Sequence, residues 1–489
     1  MSNHQHAHFD LRAAVRQDLL DRGFAPDLPP DAARQLASLD GAAQPARVAD
    51  AQDLRALPWS SIDNDDSRDL DQIEVAERVN DGGIRVRIAV ADVDDLVTLA
   101  TPLDSHARVN ATSVYTGIET FPMLPEALST NLTCLAQNGD RSAIVVEFVV
   151  APDGTVSGHA VNRAVVRNRA KLAYDSVGAW LDATGPAPAP VAADQALAQQ
   201  LRLQHEAAQA LRTQRETHGA LELETIEATP VVTDGKVTDL TVPRKGLARA
   251  LIEDFMIAAN TVVAQFLAER KRSSILRVVQ SPERWPRIVS LAQSLGESLP
   301  EQPSGTALAA FLRKRKAADP QHFPDLSLSV VKLLGPGTYT LERPGDAPAG
   351  HFGLAVQDYT HSTAPNRRYA DLVTQRIVKA ALANATPPYS DEALSTLAQH
   401  CTAKEDDARH VERLVRKQIA AVLLADRIGG TFDGIITGVT AKGTFARLLQ
   451  PPAEGIVDGV DHRVDVGDRV RLRLVRTDPL KGYVDFRLL

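Results

Sequence analysis

Apolar positions recur along this chain at two periods, and the changes between them divide it. In residues 9–41, Leu11, Val15 and Leu19 fall at helical spacing, with Asp10 placed to cap the helix and Gly23 to end it. Pro29 and Pro30 open a second short helix over 31–39. Two helices and a turn fit a helix-turn-helix, and equally any small helical unit. Residues 84–90 and 143–151 alternate or run in Val and Ile, the pattern of strands. The proline-rich stretch 186–190 reads as a surface loop. Longer stretches then follow the helical period: 195–215, 364–382, 391–425, and 246–271 with a stripe of Leu247, Leu251, Phe255, Ala258, Val262 and Phe266. From Gly429 the period shortens again. The β runs 432–434, 435–439, 443–448 and 470–476, broken by Gly, Pro and Asp, suit a small barrel of OB type. The predicted class is α+β: a small helical unit over 1–50, a large mixed domain over 51–427, and a barrel over 428–489.

Composition narrows the function classes. Of 489 residues, 44% are hydrophobic and 24% charged, which excludes a mostly disordered chain. Fifty-four basic against 62 acidic residues give a net charge of −8, so nucleic-acid binding has to rest on local features. The two cysteines, Cys134 and Cys401, exclude a disulfide framework or a multi-cysteine zinc site and fit a reducing cytosol. No apolar run approaches the ~18 residues of a membrane helix. The N-terminus lacks a signal-peptide stretch, and His4, His6 and His8 read as a polar tail. The expectation is a cytoplasmic monomer without membrane contact.

The densest chemistry lies in residues 61–74. Asp63, Asp65, Asp66, Asp69 and Asp71 crowd into nine positions with one arginine, Arg68, among them. Such carboxylates repel by about 1 kcal/mol per pair at 4 Å even in water, and a cation relieves that cost. Oxygen-only ligands favour Mg2+, Mn2+ or Ca2+ over zinc. Three readings stand. One is a solvated acidic loop. The second is a calcium loop, since Asp63, Asp65, Ser67, Asp71 and Glu74 have EF-hand spacing, although Arg68 occupies the turn position that wants Gly. The third is a magnesium site for phosphate chemistry. Residues 361–371 offer the cations such chemistry needs. There Ser362 or Thr363 is placed to cap a helix opened by Pro365, which puts Arg367 and Arg368 in its first turn, where free N–H groups favour an anion. A capped helix with exposed arginines is the alternative.

Together these stretches resemble the ribonuclease II/ribonuclease R exoribonucleases and their RNB catalytic domain. The resemblance is carried by six blocks in the family's order, over roughly residues 50–425. They are 62–73; Tyr115 with Phe121, Pro122, Met123, Leu124, Pro125, Leu128 and Ser129; 218–221; 252–260; 350–354; and 359–371. The tail, with 434–439, 443–445 and 466–470, resembles the family's C-terminal OB-type RNA-binding domain. The resemblance implies a 3′→5′ exoribonuclease that releases nucleoside 5′-monophosphates from single-stranded RNA, with Mg2+ or Mn2+ as cofactor. By position, Asp63, Asp69 and Asp71 match three of the family's four metal-site aspartates. Gln72 stands at the fourth, where an amide oxygen can ligate but brings no charge. Asp65 and Asp66, at variable positions, are candidates to compensate.

Asp71, Asp69 and Arg367 would then be catalytic, with Arg367 at the scissile phosphate. Tyr115 would stack on the 3′-terminal base, and Arg367 and Arg368 would bind substrate. The opposing aromatic's place is taken by Leu223, which implies a one-sided clamp. The basic runs 163–171 and 313–316 are candidate walls for the strand, or solvated faces. Glu253 sits in a family-like block, or on a polar helix face. Two rival functions remain. A non-catalytic RNA-binding or regulatory protein is favoured by Gln72. A deoxyribonuclease stays open because no 2′-OH contact can be placed. Family members carry two cold-shock-type OB domains ahead of the catalytic domain, whereas 62 residues precede Asp63 here. The resemblance therefore implies a more open entrance, and closer approach to a duplex in structured RNA with a 3′ overhang.

Overall fold

The computed structural model describes residues 10–39 and 51–489, apart from 225, 227–228, 234–235, 243–245, 348, 441–442, 460–463 and 465. His4, His6 and His8 lie outside the described residues. Helix α1 (Leu11–Asp21) begins where Asp10 accepts a hydrogen bond from the Ala13 N–H, and stops at Gly23, whose φ of +69° suits glycine. Helix α2 is Pro30–Ser38. The two helices enter different cores. α1 buries Val15 and Leu19 with residues of the last long helix, whereas α2 buries Ala32 in the core of the main sheet.

That sheet is built from β1 (Gln52–Asp53), β2 (Ser60–Asp63), β3 (Gln72–Arg78) and β4 (Ile84–Ala91), then β7 (Asp140–Val150), β8 (Val156–Arg167) and β9 (Ala170–Ala173). Between β4 and β7 come α3 (Pro102–Asn110) and a small hairpin of β5 (Val114–Tyr115) and β6 (Thr120–Phe121). The strand order is β1-β8-β7-β4-β3-β2-β9; β1–β8 and β2–β9 are parallel and the inner pairs antiparallel. β4 alternates over its first half, with Arg85 and Arg87 on the partly exposed face, and is apolar and buried on both faces over its second half. α4 (Tyr174–Leu181), α5 (Ala189–Ala193), α6 (Gln195–Thr217) and α7 (Leu247–Glu269) follow, with α6 and α7 packed on the sheet and on each other.

The stripe read from the sequence of α7 is buried from Leu251 to Phe266, with Leu247 at the helix start partly exposed. Read residue by residue, its apolar run is broken by Glu253 and Asp254. As a helix it is nevertheless, among the described residues, the one long and apolar enough to cross a membrane by length and composition. Within the fold 72% of its apolar window is buried, the pattern of a core helix.

A hairpin of β10 (Thr229–Thr233) and β11 (Lys236–Thr241) precedes α7, and β12 (Ser274–Val278) pairs with β13 (Thr338–Glu342) after it. Between β12 and β13, α8 (Trp285–Ser294), α9 (Gly305–Ala318) and α10 (Phe323–Leu334) close a satellite core around Trp285, Phe311 and Phe323. α11 (Tyr369–Leu382) leads to α12 (Asp391–Leu424), whose 34 residues span about 51 Å at 1.5 Å each. The N-terminal half of α12 puts Leu394, Leu397 and Cys401 into the sheet's core. Its C-terminal half puts Val411, Val415 and Ile419 into a second core, shared with α1 and the barrel.

The barrel expected of the tail is closed and five-stranded: β14 (Thr431–Thr440), β15 (Gly443–Leu448), β16 (Glu454–Asp458), β18 (Tyr483–Leu488) and β17 (Arg469–Asp478), in that spatial order. The runs 432–434 and 435–439 are one strand, and β16 and β18 match none of the runs read from the sequence. It seats on α12 at Gly482, where a Cβ would stand 2.8 Å from the Lys417 Cβ and 3.1 Å from the Gln418 nitrogen.

Candidate active site

The acidic stretch is the connection from β2 to β3, so strands flank it. That excludes the EF-hand reading, which needs helices. Asp63 closes β2, Asp69 and Asp71 precede β3, and Gln72 is its first residue. The loop is fastened from below. The Leu70 N–H meets Cys134 Sγ at 3.3 Å, Cys134 Sγ donates to the Arg68 carbonyl at 3.1 Å, and the Leu135 N–H reaches the Leu70 carbonyl at 2.9 Å. Asp65 and Asp66 are exposed, whereas Asp71 and Gln72 are buried.

Asp71 is the best-held carboxylate. Its Oδ1 accepts from the Asn366 N–H at 3.1 Å and from Asn366 Nδ2 at 2.9 Å, and Arg367 Nε stands 3.4 Å from its Oδ2. Thr133 Oγ1 donates to Asn366 Oδ1 at 2.6 Å, which fixes the amide's orientation. Burial pushes the Asp71 carboxyl up to about 6, against the pull of Arg367 and of the two Asn366 bonds. Burial also raises Asp69, with Asp63 adding to it and Arg367 opposing. The Arg367 guanidinium is thus the charge that these aspartates share, and its side chain is 46% exposed. Among the described residues, no three His, Cys, Asp or Glu side chains stand close enough to form a ready-made ligand set.

The basic stretch 361–371 departs from expectation. The signals at Ser362, Thr363 and Pro365 predict a helix from 364, but α11 begins at Tyr369. Residues 365–367 form a turn, with the Arg367 and Arg368 N–H groups on the Ala364 carbonyl. Tertiary bonds override the local signal: Asn366 is drawn to Asp71, the Ser113 N–H takes the Arg367 carbonyl, and the Tyr369 N–H takes that of Ala111. Arg367 and Arg368 therefore precede the helix rather than form its first turn. Arg368 is turned to buried Asp371, with Nε and Nη2 each 2.8 Å from a carboxylate oxygen.

Tyr115, on β5, is 43% exposed, with its hydroxyl in the electrostatic field of Arg367, Asp69 and Asp71 and its N–H donating to Glu412 Oε1 at 2.9 Å. Leu223 packs against the satellite core and lines a cavity of about 480 Å³ with Arg212, Arg215, Glu253 and Asp254. In that cavity it is Asp254, not Glu253, that is buried, and it pairs with both arginines. The basic run 163–171 finds acceptors within the fold: Arg163 on Asp92 and Asp95, Arg167 on Asp140, Arg169 on the Arg55 carbonyl, Lys171 on the Asp65 carbonyl. Lys314 and Lys316 pair with Glu297 and with Glu222 and Glu224.

Sequence reasoning passed over Asn366, Thr133 and Tyr174. Asn366 lies inside the stretch 361–371 but carries no local signal for its bond to Asp71.

Residues 51–384 match the profile of the RNB domain. The chain belongs to the RNB family. Residues 430–489 match the RNase II-type exonuclease C-terminal S1 domain, in the place of the closed barrel. Ribonuclease R of Escherichia coli is 31% identical over 93% of this chain, which spans 59% of that relative's length. Ribonuclease R of Thermotoga maritima is 27% identical over 97% of the chain and 69% of the relative. Among solved structures, Mycoplasma genitalium RNase R in complex with ribose-methylated single-stranded RNA superposes on this RNB protein with a TM-score of 0.88. That match has 22% identity and covers 98% of this chain and 78% of the other. Yeast Ssd1, a pseudonuclease, gives 0.71 at 17% identity, over 96% of this chain and 58% of its own. These two likenesses speak to the fold.

Proposed function

We propose that this chain is a 3′→5′ exoribonuclease that hydrolyses single-stranded RNA to nucleoside 5′-monophosphates with Mg2+ or Mn2+ as cofactor. The observation that carries the reading is buried Asp71, clamped by Asn366 and facing Arg367, beside Asp63, Asp69 and outward-facing Tyr115 in an RNB fold. The donors are all oxygen, and burial holds Asp69 and Asp71 above the usual carboxyl range, so a hard divalent cation is the ligand that lowers their energy. Asp63, Asp69 and Asp71 would hold it, with the Gln72 amide as a neutral donor. When bound, such an ion polarises the phosphate and acidifies a water.

The remaining work falls to the chain's own side chains. Asn366 fixes the direction of the Asp71 carboxylate. Arg367, half-exposed and on a turn, is placed to meet the non-bridging phosphate oxygens as charge develops there. A base stacked on Tyr115 sets which phosphodiester lies at the aspartates. RNA is the polymer named for the Mycoplasma genitalium structure and in the names of the curated relatives, and by that likeness it is the substrate proposed here.

Digestion of 5′-labelled and 3′-labelled RNA in Mg2+ tests this. The 5′ label should appear in a ladder shrinking from the 3′ end, and the 3′ label in a mononucleotide from the first turnover, with both stopped by EDTA. RNA bound but never shortened would instead make the chain a binding protein. Internal fragments would make it an endonuclease.

A further inference from the structure

Seven acidic side chains among the described residues are buried. Six of them sit against Arg or Lys, among them Asp71 with Arg367 and Asp371 with Arg368. The seventh, Glu74, is 0% exposed, and neither of its carboxylate oxygens has a hydrogen-bond partner. An ionised carboxylate in that position is strongly unfavourable, and a protonated one still leaves a donor unused. Among the described residues, no hydrogen bond accounts for it.

Its position points to an occupant. Glu74 follows Gln72 by two residues on β3, so the two side chains leave the same face of the strand. One of its two ladder partners is Ser60, on the strand that ends in Asp63, and the other is Ile88 on β4. Among the described residues, Asp63 is the charge that acts on Glu74, and it has the same sign. The Tyr174 hydroxyl lies in the combined field of Asp63, Glu74, Arg249 and Arg367, so Glu74 and Asp63 share a neighbour. In the same cluster Gln72 brings no charge, and Asp65 and Asp66 are exposed.

We propose that Glu74 is a ligand of the divalent cation and supplies, two residues along β3, the carboxylate that Gln72 lacks. This rests on the metal-site reading above. It replaces Asp65 and Asp66 as the compensating acids. It also explains why a carboxylate stands unpaired in the sheet: its counter-ion is the metal.

The test reads metal binding, not turnover. The full chain, stripped with chelator, is titrated with Mn2+ while free ion is followed by electron paramagnetic resonance, and thermal unfolding is recorded with and without Mn2+. Glu74→Gln should weaken Mn2+ binding at least ten-fold and remove most of the ion-dependent rise in Tm. Glu74→Leu should do the same yet melt higher than the unsubstituted chain in chelator, because the orphaned acid is gone. Combining Glu74→Leu with Gln72→Asp should restore binding.

If both Glu74 variants bind Mn2+ as the unsubstituted chain does while Asp63→Asn loses it, Glu74 is a neutral core acid. The inference then fails with the metal-site reading intact. If the unsubstituted chain shows no saturable Mn2+ binding, the metal-site reading fails and takes the inference with it.

Discussion

Asp71 shows how one side chain is prepared for chemistry. It is buried enough for its carboxyl to rise to about 6, yet it accepts two bonds from Asn366 and faces Arg367. Asp71→Asn keeps the size and one acceptor but removes the charge. We expect it to cut kcat by about 10³-fold, while RNA affinity, set mostly by phosphate contacts elsewhere, stays within about two-fold. Single-turnover assays alongside filter binding separate the two. Asn366→Ala should cost about 10–100-fold in kcat by releasing the carboxylate's orientation, the usual range for a group that steers a site residue. Tyr115→Ala should lengthen the shortest product, because stacking worth about 1–3 kcal/mol per base is lost from the last nucleotides. An unchanged product ladder would mean that the ring only packs. Asp63, Asp69 and Asp71 drew attention because acidic residues crowd into nine positions there, and Arg367 because it stands beside Arg368 just after Pro365. Asn366 was not, because its bond to Asp71 spans 295 positions. Glu74 was not, because what marks it is the absence of a partner.

At the scale of elements, the sequence served well where a period repeats over several turns and poorly where a boundary is set from outside. α6, α7 and α12 lie within two residues of the limits read from their stripes. α11 starts five residues later than its proline and hydroxyl signals imply, since bonds to Asp71, Ser113 and Ala111 pull residues 365–368 out of the helix. The segment leading into that turn carries a second consequence. His361 is held well below the usual imidazole range by burial and by Arg368 and Arg277. His351 is lowered to about 4, mainly by burial. For His351 the unfolded chain takes up a proton near 6.5 that the folded chain refuses until about 4. The stabilising preference for the neutral ring is therefore complete above pH 6.5 and is lost as pH falls toward 4. Urea midpoints measured between pH 7 and 5 should fall, and His351→Gln should flatten that slope. Gly482 bounds another element. Gly482→Ala should lower Tm by several degrees, since the added methyl meets Lys417 and the α12 backbone at a φ of +65°.

Over the whole molecule, the barrel could be recognised from short strands and turn residues, but its dependence on the rest could not. Val15, Val415, Ile419 and Phe486 belong to one apolar cluster drawn from both ends of the chain, and no local pattern announces that. Arg469, Arg471 and Arg473 lie on the exposed face of β17, as alternation predicts. Replacing all three with Ala should reduce the slope of log affinity against log salt by about 2, at about 0.7 per single-strand phosphate contact, and leave kcat at saturating RNA unchanged. A slope that does not move would place the strand on another face. α12 joins the two cores, one half in each, and this shapes how the molecule opens. Amide protons of the barrel, α1 and the C-terminal half of α12 should exchange with deuterium as a single cooperative unit, with one shared opening free energy. Those of β3, β4 and α7 should follow a separate and slower event. Along one continuous helix, protection would then step near its middle, so the seam between independently opening halves of this protein runs across a helix rather than through a loop.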